Sequence, residues 1–267
     1  MDRLEIIARE SDRFAAVLAD CPPDAPCPTC PEWTAQDLLW HLAGVHYFWS
    51  RILGDDIRTG EEAEALEGEE TERPADIRGM LGMRENATLR LMDQLAHLAD
   101  DEPRWTWFPS DQTVGFTRRM QTYEATMHRV DAELTAGKEV SPVAPDVAKG
   151  AVDHCVDVMW DAVGAWLPDS ARDESTAIVE LVSSDTGDRW VVDVGHFSGV
   201  GATSGKEFDV VRARRAAEGS EPTGTVTVTT ESLALWAWGR APIDSVEITG
   251  SEEAVAAVRS LIEQGIQ

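Results

Sequence analysis

Apolar residues recur at helical spacing over the first two thirds of the chain. In residues 2–19 the apolar positions, separated by charged ones, are Leu4, Ile7, Phe14, Val17 and Leu18. This 3.6-residue period is typical of an amphipathic helix, and it returns in four further segments, at residues 34–52, 74–99, 115–136 and 146–166. Thr34 is a favourable N-cap for the second of the five helices, and Gly137 is a normal C-terminal stop for the fourth.

After Pro168 the pattern changes from helical to extended. Three segments have the composition or the alternation of strands, at residues 176–182, 190–194 and 223–230. Shorter helical and extended runs follow, and the last helix begins after Ser251, a good N-cap. The sequence therefore predicts an all-helical domain over residues 1–168 and a small α+β domain over residues 169–267.

An acidic segment interrupts the helical part. Residues 61–72 contain seven glutamates, and blocks of like charge are normally solvated. We expect this segment to be an exposed, mobile loop or a weak acidic helix, because it has too few apolar residues to dock.

Charge and hydropathy exclude several classes of partner. The chain has 23 Lys and Arg against 49 Asp and Glu, a net charge of −26, which disfavours binding to nucleic acid or to anionic membranes. The longest uncharged apolar stretch, residues 38–50, is shorter than the roughly 20 residues of a membrane span, and the N-terminus is too charged for a signal peptide. We expect a cytoplasmic protein with no nucleic-acid or membrane partner. No motif sets the oligomeric state, for which a monomer is favoured.

The fourth predicted helix contains three residues that suit a metal site. Glu124, His128 and Asp131 are spaced i, i+4 and i+7, which places them on one helical face. Glu124 and His128 could bind one divalent ion, and Asp131 could accept a hydrogen bond from the imidazole. The alternatives are an exposed Glu–His pair and, for Asp131, a surface ion pair with Arg129 or Arg119.

A third ligand could come from the second predicted helix. His41 lies in the apolar middle of that helix, where a histidine is more often a satisfied core residue. An inward histidine that faces a Glu-x-x-x-His pair is nevertheless how helical bundles build metal sites, and three N, N and O ligands leave a position open. His46 is about 140° around the helix from His41, so it is a poorer ligand, although it could line a pocket mouth.

Three segments resemble a known family. CPEWTAQDL at residues 30–38 with HLAGVH at residues 41–46, HRVDAE at residues 128–133 preceded by Glu124, and LALWAWGR at residues 233–240 are similar to the corresponding segments of the mycothiol-dependent maleylpyruvate isomerase family, part of the DinB-like superfamily. Their order matches over almost the whole chain.

The resemblance implies a fold, a metal and an activity. The fold is a DinB-like four-helix bundle followed by an α+β domain similar to sterol carrier proteins. The metal is a divalent ion, usually zinc, bound by the residues that match His41, Glu124 and His128. The sequence departs from the family pattern at two positions, Glu32, where the family usually has glycine, and Val130, where it usually has tryptophan. Neither change removes a ligand, but both could alter the pocket.

The cysteines are few and scattered. Cys27 and Cys30 form a C-x-x-C motif, which suggests redox chemistry or half of a zinc site. The chain has no second such motif, and the segment does not follow a strand as in thioredoxin-like folds. We expect structural or neutral thiols, with Cys27 incidental and no disulfide framework.

We expect an enzyme that uses a metal and mycothiol. A metal with an open position can hold a small thiol as thiolate, so mycothiol would supply the nucleophile for S-transfer to a small electrophile or for its cis–trans isomerisation, and no protein cysteine would be needed. The alternatives are a metal-assisted hydrolase and a non-catalytic protein that binds a metal or an apolar ligand.

Overall fold

Helices make up the regular structure of the first half of the chain, and a mixed sheet with helices makes up most of the second. This computed structural model describes residues 1–69 and 72–266. Two compact units divide the chain, Met1–Pro142 and Val143–Gln267. A helical unit followed by an α+β unit is the fold class that the sequence predicts.

The helices of the N-terminal unit, as far as it is described, are α1 (Arg3–Ala19), α2 (Ala35–Gly54), α3 (Gly60–Glu67), α4 (Ile77–His97) and α5 (Val114–Thr135). The four long ones form a bundle in which α1 packs against α4 and α5, and α2 packs against the same two helices. Their apolar faces build one core cluster around Phe14, Leu18, Leu38, Leu42 and Met80. A second cluster surrounds Ile7, Trp49, Ile52, Leu91 and Val114.

The acidic segment differs from expectation. It forms α3, in which Thr59 and Glu62 make a capping box, and its described glutamates are exposed. Ala63 and Leu66 are buried in the second core cluster, so the expectation that the segment cannot dock is wrong. Two apolar residues three positions apart give a short helix one buried face. Residues 70 and 71 of the segment lie outside the described residues.

The described part of the C-terminal unit contains α6 (Pro145–His154), β1 (Arg172–Ser183), β2 (Arg189–Val200), β3 (Glu207–Arg215), β4 (Gly224–Val228), α7 (Thr230–Ala237), β5 (Glu247–Gly250) and α8 (Glu252–Gln264). The sheet order is β3-β2-β1-β4-β5. The β1 and β4 strands are parallel and the other neighbouring pairs are antiparallel, and α8 packs against the sheet. The sequence did not predict β3, because charged residues interrupt its alternation.

The boundary between the units differs from the predicted one near residue 168. The α6 helix buries its apolar face inside the C-terminal unit, where it packs against α7, and Trp238 Nε1 donates a hydrogen bond to the carbonyl oxygen of Ala151 at 3.0 Å. Helical periodicity identifies α6 but not the partner of its apolar face. The predicted helix over residues 146–166 also loses its regularity after His154, where a π-helical turn and a 3₁₀ turn follow.

Among residues 1–69 and 72–266, no helix combines the length and the apolar character that a membrane crossing needs.

Candidate active site

Two histidines and a glutamate from two helices converge in the N-terminal unit. His41 lies in the middle of α2, and Glu124 and His128 lie one turn apart on α5. The Nε2 atoms of His41 and His128 are 3.5 and 3.0 Å from Oε1 of Glu124. One candidate ligand atom from each residue lies within 4.8 Å of the other two. The structure thus brings together the three residues that the sequence suggested as metal ligands.

A side-chain cap fixes the residue at which each of the two helices, α2 and α5, begins. Thr34 Oγ1 accepts a hydrogen bond from the Asp37 backbone N–H at 3.3 Å, and the Asp37 carboxylate accepts one from the Thr34 N–H at 2.9 Å. This reciprocal capping box satisfies two otherwise unpaired donors at the start of α2. Thr113 caps α5 with its side chain. Because both helices are regular, their i, i+4 positions face one direction.

Asp131 holds the imidazole of His128. Its Oδ2 lies 2.8 Å from Nδ1 of His128, and its Oδ1 accepts a hydrogen bond from Thr29 Oγ1 at 2.6 Å. With Nδ1 engaged by a fully buried carboxylate, Nε2 of His128 faces Glu124. The two arginines that the sequence offered as partners of Asp131 make other ion pairs, namely Arg129 with Glu10 and Glu133, and Arg119 with Asp111.

The carboxylates control the protonation of the cluster. Burial by itself lowers the pKa of His128, but hydrogen bonds to Asp131 and Glu124 outweigh burial and raise that pKa to about 9. Burial would raise the pKa of Glu124, yet hydrogen bonds and charge from His128 and His41 hold it well below its usual value. These pKa shifts favour a protonated His128 beside an ionised Glu124 at neutral pH.

His46 does not line a pocket mouth, and that expectation is wrong. The residue is fully buried, and its Nδ1 lies 2.8 Å from Oγ1 of Thr88 on α4. Burial lowers the pKa of His46 to about 3. It is therefore a neutral core residue between α2 and α4.

A cavity of about 840 Å³ opens beside the cluster. His41 and Glu124 line it, and its walls are largely aromatic, with Trp33, Trp40, Tyr47, Phe48, Trp49, Trp105 and Trp107. The Trp33 ring lies against His41, with 4.6 Å between ring centroids. Such walls with a few polar groups suit a small ligand of mixed character. Carboxylates of Glu32, Asp37, Glu67 and Glu69 also border the cavity and favour the entry of cations.

Not all of the cavity walls lie on the long helices. Trp105 and Trp107 lie in the segment between α4 and α5, and with Phe108 they put three aromatic residues within four positions, which is a usable signal in the sequence. Gln121 and Leu66 also border the cavity. The position of Gln121 one turn before Glu124 on α5 could have identified it.

The N-terminal half of the chain is similar to a known domain family. The domain family described as mycothiol maleylpyruvate isomerase N-terminal domain matches residues 4–133. Residues 4–133 are therefore similar to that family, over just under half of the chain. No curated protein matches the sequence significantly.

Two solved structures of mycothiol-dependent maleylpyruvate isomerase have a fold similar to that of this chain. A crystal structure of mycothiol-dependent maleylpyruvate isomerase is 15% identical, with a TM-score of 0.58, and the match covers 94% of this chain and 93% of the other. The structure of a histidine-to-alanine mutant under the same enzyme name is 14% identical, with a TM-score of 0.59 and the same coverage. The similarity in fold therefore extends over both units.

The two departures from the family pattern occupy different places. Glu32 borders the cavity, so the substitution for glycine adds a carboxylate beside the site. Val130 is fully buried in the bundle and does not line the cavity in the described structure. Of the two, Glu32 is the change that can alter ligand choice.

Proposed function

We propose that this protein is a mycothiol-dependent isomerase that uses a divalent metal. The convergence of His41, Glu124 and His128 beside the aromatic cavity carries this proposal. The family of residues 4–133 and the fold that extends over both units support the use of mycothiol.

The residues fit a divalent cation, and their chemistry favours zinc. Two imidazoles and one carboxylate are a common ligand set of catalytic zinc sites, which keep a fourth position for water or substrate. Asp131 fixes the tautomer and the orientation of His128, as the partners of metal-binding histidines usually do. When bound, the cation would lower the pKa of a thiol in the open position and hold it as thiolate.

The chain's own residues bind and orient the reactants. The aromatic walls bury the apolar part of the substrate and exclude water, and Trp33 limits how far the His41 ring can turn. Thiol addition to a cis double bond conjugated with a carbonyl leaves a single bond, which rotates before elimination restores the trans isomer. The same thiol could instead displace a leaving group from the substrate, so S-transfer is the alternative reaction. The cavity could hold the substrate of either reaction.

Two further parts of this proposal concern the whole protein. We propose that the C-terminal unit is similar to sterol carrier proteins, which its five described strands and the helix α8 packed on them support. We also propose a cytoplasmic location and a monomer. The four cysteines are thiols in the structure, and thiol chemistry of this kind needs a reducing compartment.

Zinc titration and product analysis test the proposal. Protein stripped by a chelator should take up one equivalent of zinc, and it should convert maleylpyruvate to the trans isomer only when mycothiol is added. His41→Ala and His128→Ala should lose both properties, while His97→Ala, at an exposed position on α4, is the matched control. A thioether product would indicate S-transfer.

Three results would contradict the proposal. Zinc uptake that is unchanged in His128→Ala would remove the metal site. Product formation without any thiol would favour hydrolysis, and loss of turnover in Cys30→Ser but not in His41→Ala would assign the nucleophile to the protein.

A further inference from the structure

The Cys27–Cys30 segment is a tight turn with two neighbouring thiols. The Cys30 N–H donates a hydrogen bond to the Cys27 carbonyl oxygen at 3.2 Å, and Pro28 takes the second position, where proline favours a β-turn. Such a turn keeps the first and fourth Cα atoms within about 7 Å, a range that includes the separations found in disulfides. Cys27 is buried and Cys30 is partly exposed.

The thiol of Cys27 is unlike that of a structural cysteine. The hydrogen bond from the Cys30 thiol is the largest of the effects that lower the pKa of Cys27 to about 5, and it outweighs burial. Thr135 and Thr29 add hydrogen bonds in the same direction. Burial instead raises the pKa of Cys21 and of Cys155. The pair therefore holds one thiolate at neutral pH, which is the condition for thiol–disulfide exchange.

The turn contacts both sides of the ligand cluster. Thr29, between the two cysteines, donates to Asp131, and Asp131 holds His128. On the other side, the Trp33 N–H donates to the Cys30 carbonyl oxygen at 2.8 Å, and the Cys27 N–H donates to that of Trp33 at 2.9 Å. The Trp33 ring lies against His41. A change in the turn can therefore act on His128 through Asp131 and on His41 through Trp33.

We propose that Cys27 and Cys30 form a redox-active dithiol, and that its disulfide form weakens metal binding by releasing Thr29 from Asp131. The Sγ atom of Cys27 lies 3.4 Å from Oγ1 of Thr29, so a bond from Cys27 to Cys30 changes the surroundings of the same hydroxyl that donates to Asp131. Oxidation of the two cysteines does not depend on the proposed function, whereas the effect on metal binding rests on it.

The oxidant is a low-molecular-weight disulfide. Cys30 first passes its thiol proton to the Cys27 thiolate to which it is hydrogen-bonded. The Cys30 thiolate then attacks one sulfur of R–S–S–R, which forms a mixed disulfide and releases one small thiolate. That small thiolate takes the proton from Cys27, and the Cys27 thiolate attacks the Cys30 sulfur, so that the second small thiolate leaves. The two cysteines lose two electrons and the one thiol proton that they shared, and the small disulfide becomes one thiol and one thiolate. The reverse sequence restores the dithiol.

Intact-mass spectrometry of the metal-free protein tests the redox part. Equilibration with mixtures of reduced and oxidised glutathione should remove two hydrogen atoms from the mass, and peptide mapping should place the bond between Cys27 and Cys30. Cys30→Ser should abolish this product, while Cys21→Ser and Cys155→Ser should keep it. No such disulfide at any ratio, or a bond from Cys27 to Cys21, would overturn the assignment.

Zinc titration of the two redox forms tests the coupling. The oxidised protein should bind zinc roughly 10–100-fold more weakly than the reduced protein, the loss typical when the partner of a metal-binding histidine is disturbed. Reduced Thr29→Val should show a comparable loss and little further change on oxidation. Equal affinities of the two wild-type forms would overturn the coupling. If neither form binds zinc, the proposed function and the coupling both fail, and the mass measurement still decides the dithiol.

Discussion

Asp131 determines how the imidazole of His128 is presented to Glu124. Its two oxygens lie between Thr29 and Nδ1 of His128. For the proposed metal binding, this carboxylate has two opposite effects. It orients the imidazole and should make it a stronger ligand, but together with Glu124 it also raises the pKa of His128 to about 9, so a proton would compete with the metal below that pH.

Asp131→Asn should separate these two effects. We expect zinc affinity of the wild type to rise with pH up to about 9, as His128 loses its proton. In the variant the rise should end at lower pH, because the amide stabilises the imidazolium less. Its final affinity should be roughly 10–100-fold weaker, since orientation is lost. Competition titrations with a chromophoric chelator from pH 6.5 to 9.5 measure both. Asp101→Asn, an exposed site, is the control, and identical pH profiles would contradict the prediction.

His46 should make the metal-free protein sensitive to acid. Its pKa falls from 6.5 to about 3 on burial, so below pH 6.5 the unfolded chain binds a proton that the folded chain does not. Stability is therefore full above pH 6.5 and is lost as the pH falls towards 3. His46→Gln should be less stable at pH 7, and the difference from wild type should shrink towards pH 4. Urea midpoints at each pH measure this, and His97→Gln controls for the loss of one imidazole.

Helical spacing made part of the site predictable. Glu124 and His128 are local neighbours on one helix, so their common face follows from the 3.6-residue period. His41 lies on a different helix, so its place beside them depends on how α2 packs against α5, which the helical period does not specify. The bond from Thr29 to Asp131 joins residues 102 positions apart, and no local pattern specifies a contact at that separation. The redox turn was visible as a motif, but its connection to His128 was not.

At the level of elements, local pattern located helices better than strands. The α2 and α5 helices have good caps and long apolar faces, so their existence was clear. The β3 strand was missed because Glu207, Asp209 and the arginines at 212, 214 and 215 interrupt its apolar residues. Arg212 is nonetheless buried and pairs with Asp173 and Asp193. A buried charge that is satisfied by partners from other strands cannot be distinguished from a surface charge in the sequence.

Leu66 tests whether the acidic helix α3 is docked. It is 8% exposed and packs in the second core cluster at the cavity wall. Leu66→Ala should lower the stability of the N-terminal unit by about 2 kcal/mol, near the low end for buried leucine because the site borders a cavity. Glu64→Ala, exposed on the same helix, should change it by less than about 0.5 kcal/mol. Calorimetry of the full chain measures both, and equal effects would mean that α3 does not dock.

At the scale of the whole molecule, the position of the boundary decides which fragments fold. The predicted boundary near residue 168 leaves α6 with the bundle, whereas the structure places it with the sheet. Its buried residues, with those of the turn that follows, include Val147, Ala148, Ala151, Val152 and Val156. This apolar surface packs against α7, and a fragment that lacks α7 exposes it to water.

Fragments that end at the two boundaries should therefore behave differently. Residues 1–142 should give a cooperative helical unit that binds one equivalent of zinc, because the candidate ligands His41, Glu124 and His128 and the partner of His128, Asp131, all lie within it. Residues 1–168 should bind zinc equally but associate or bind an apolar dye, since exposed apolar patches cause aggregation. Residues 143–267 should fold without binding zinc. Zinc titration, analytical ultracentrifugation and dye fluorescence of the three fragments give the comparison. If residues 1–142 aggregate while residues 1–168 remain monomeric, α6 belongs with the bundle and the boundary near residue 168 is correct.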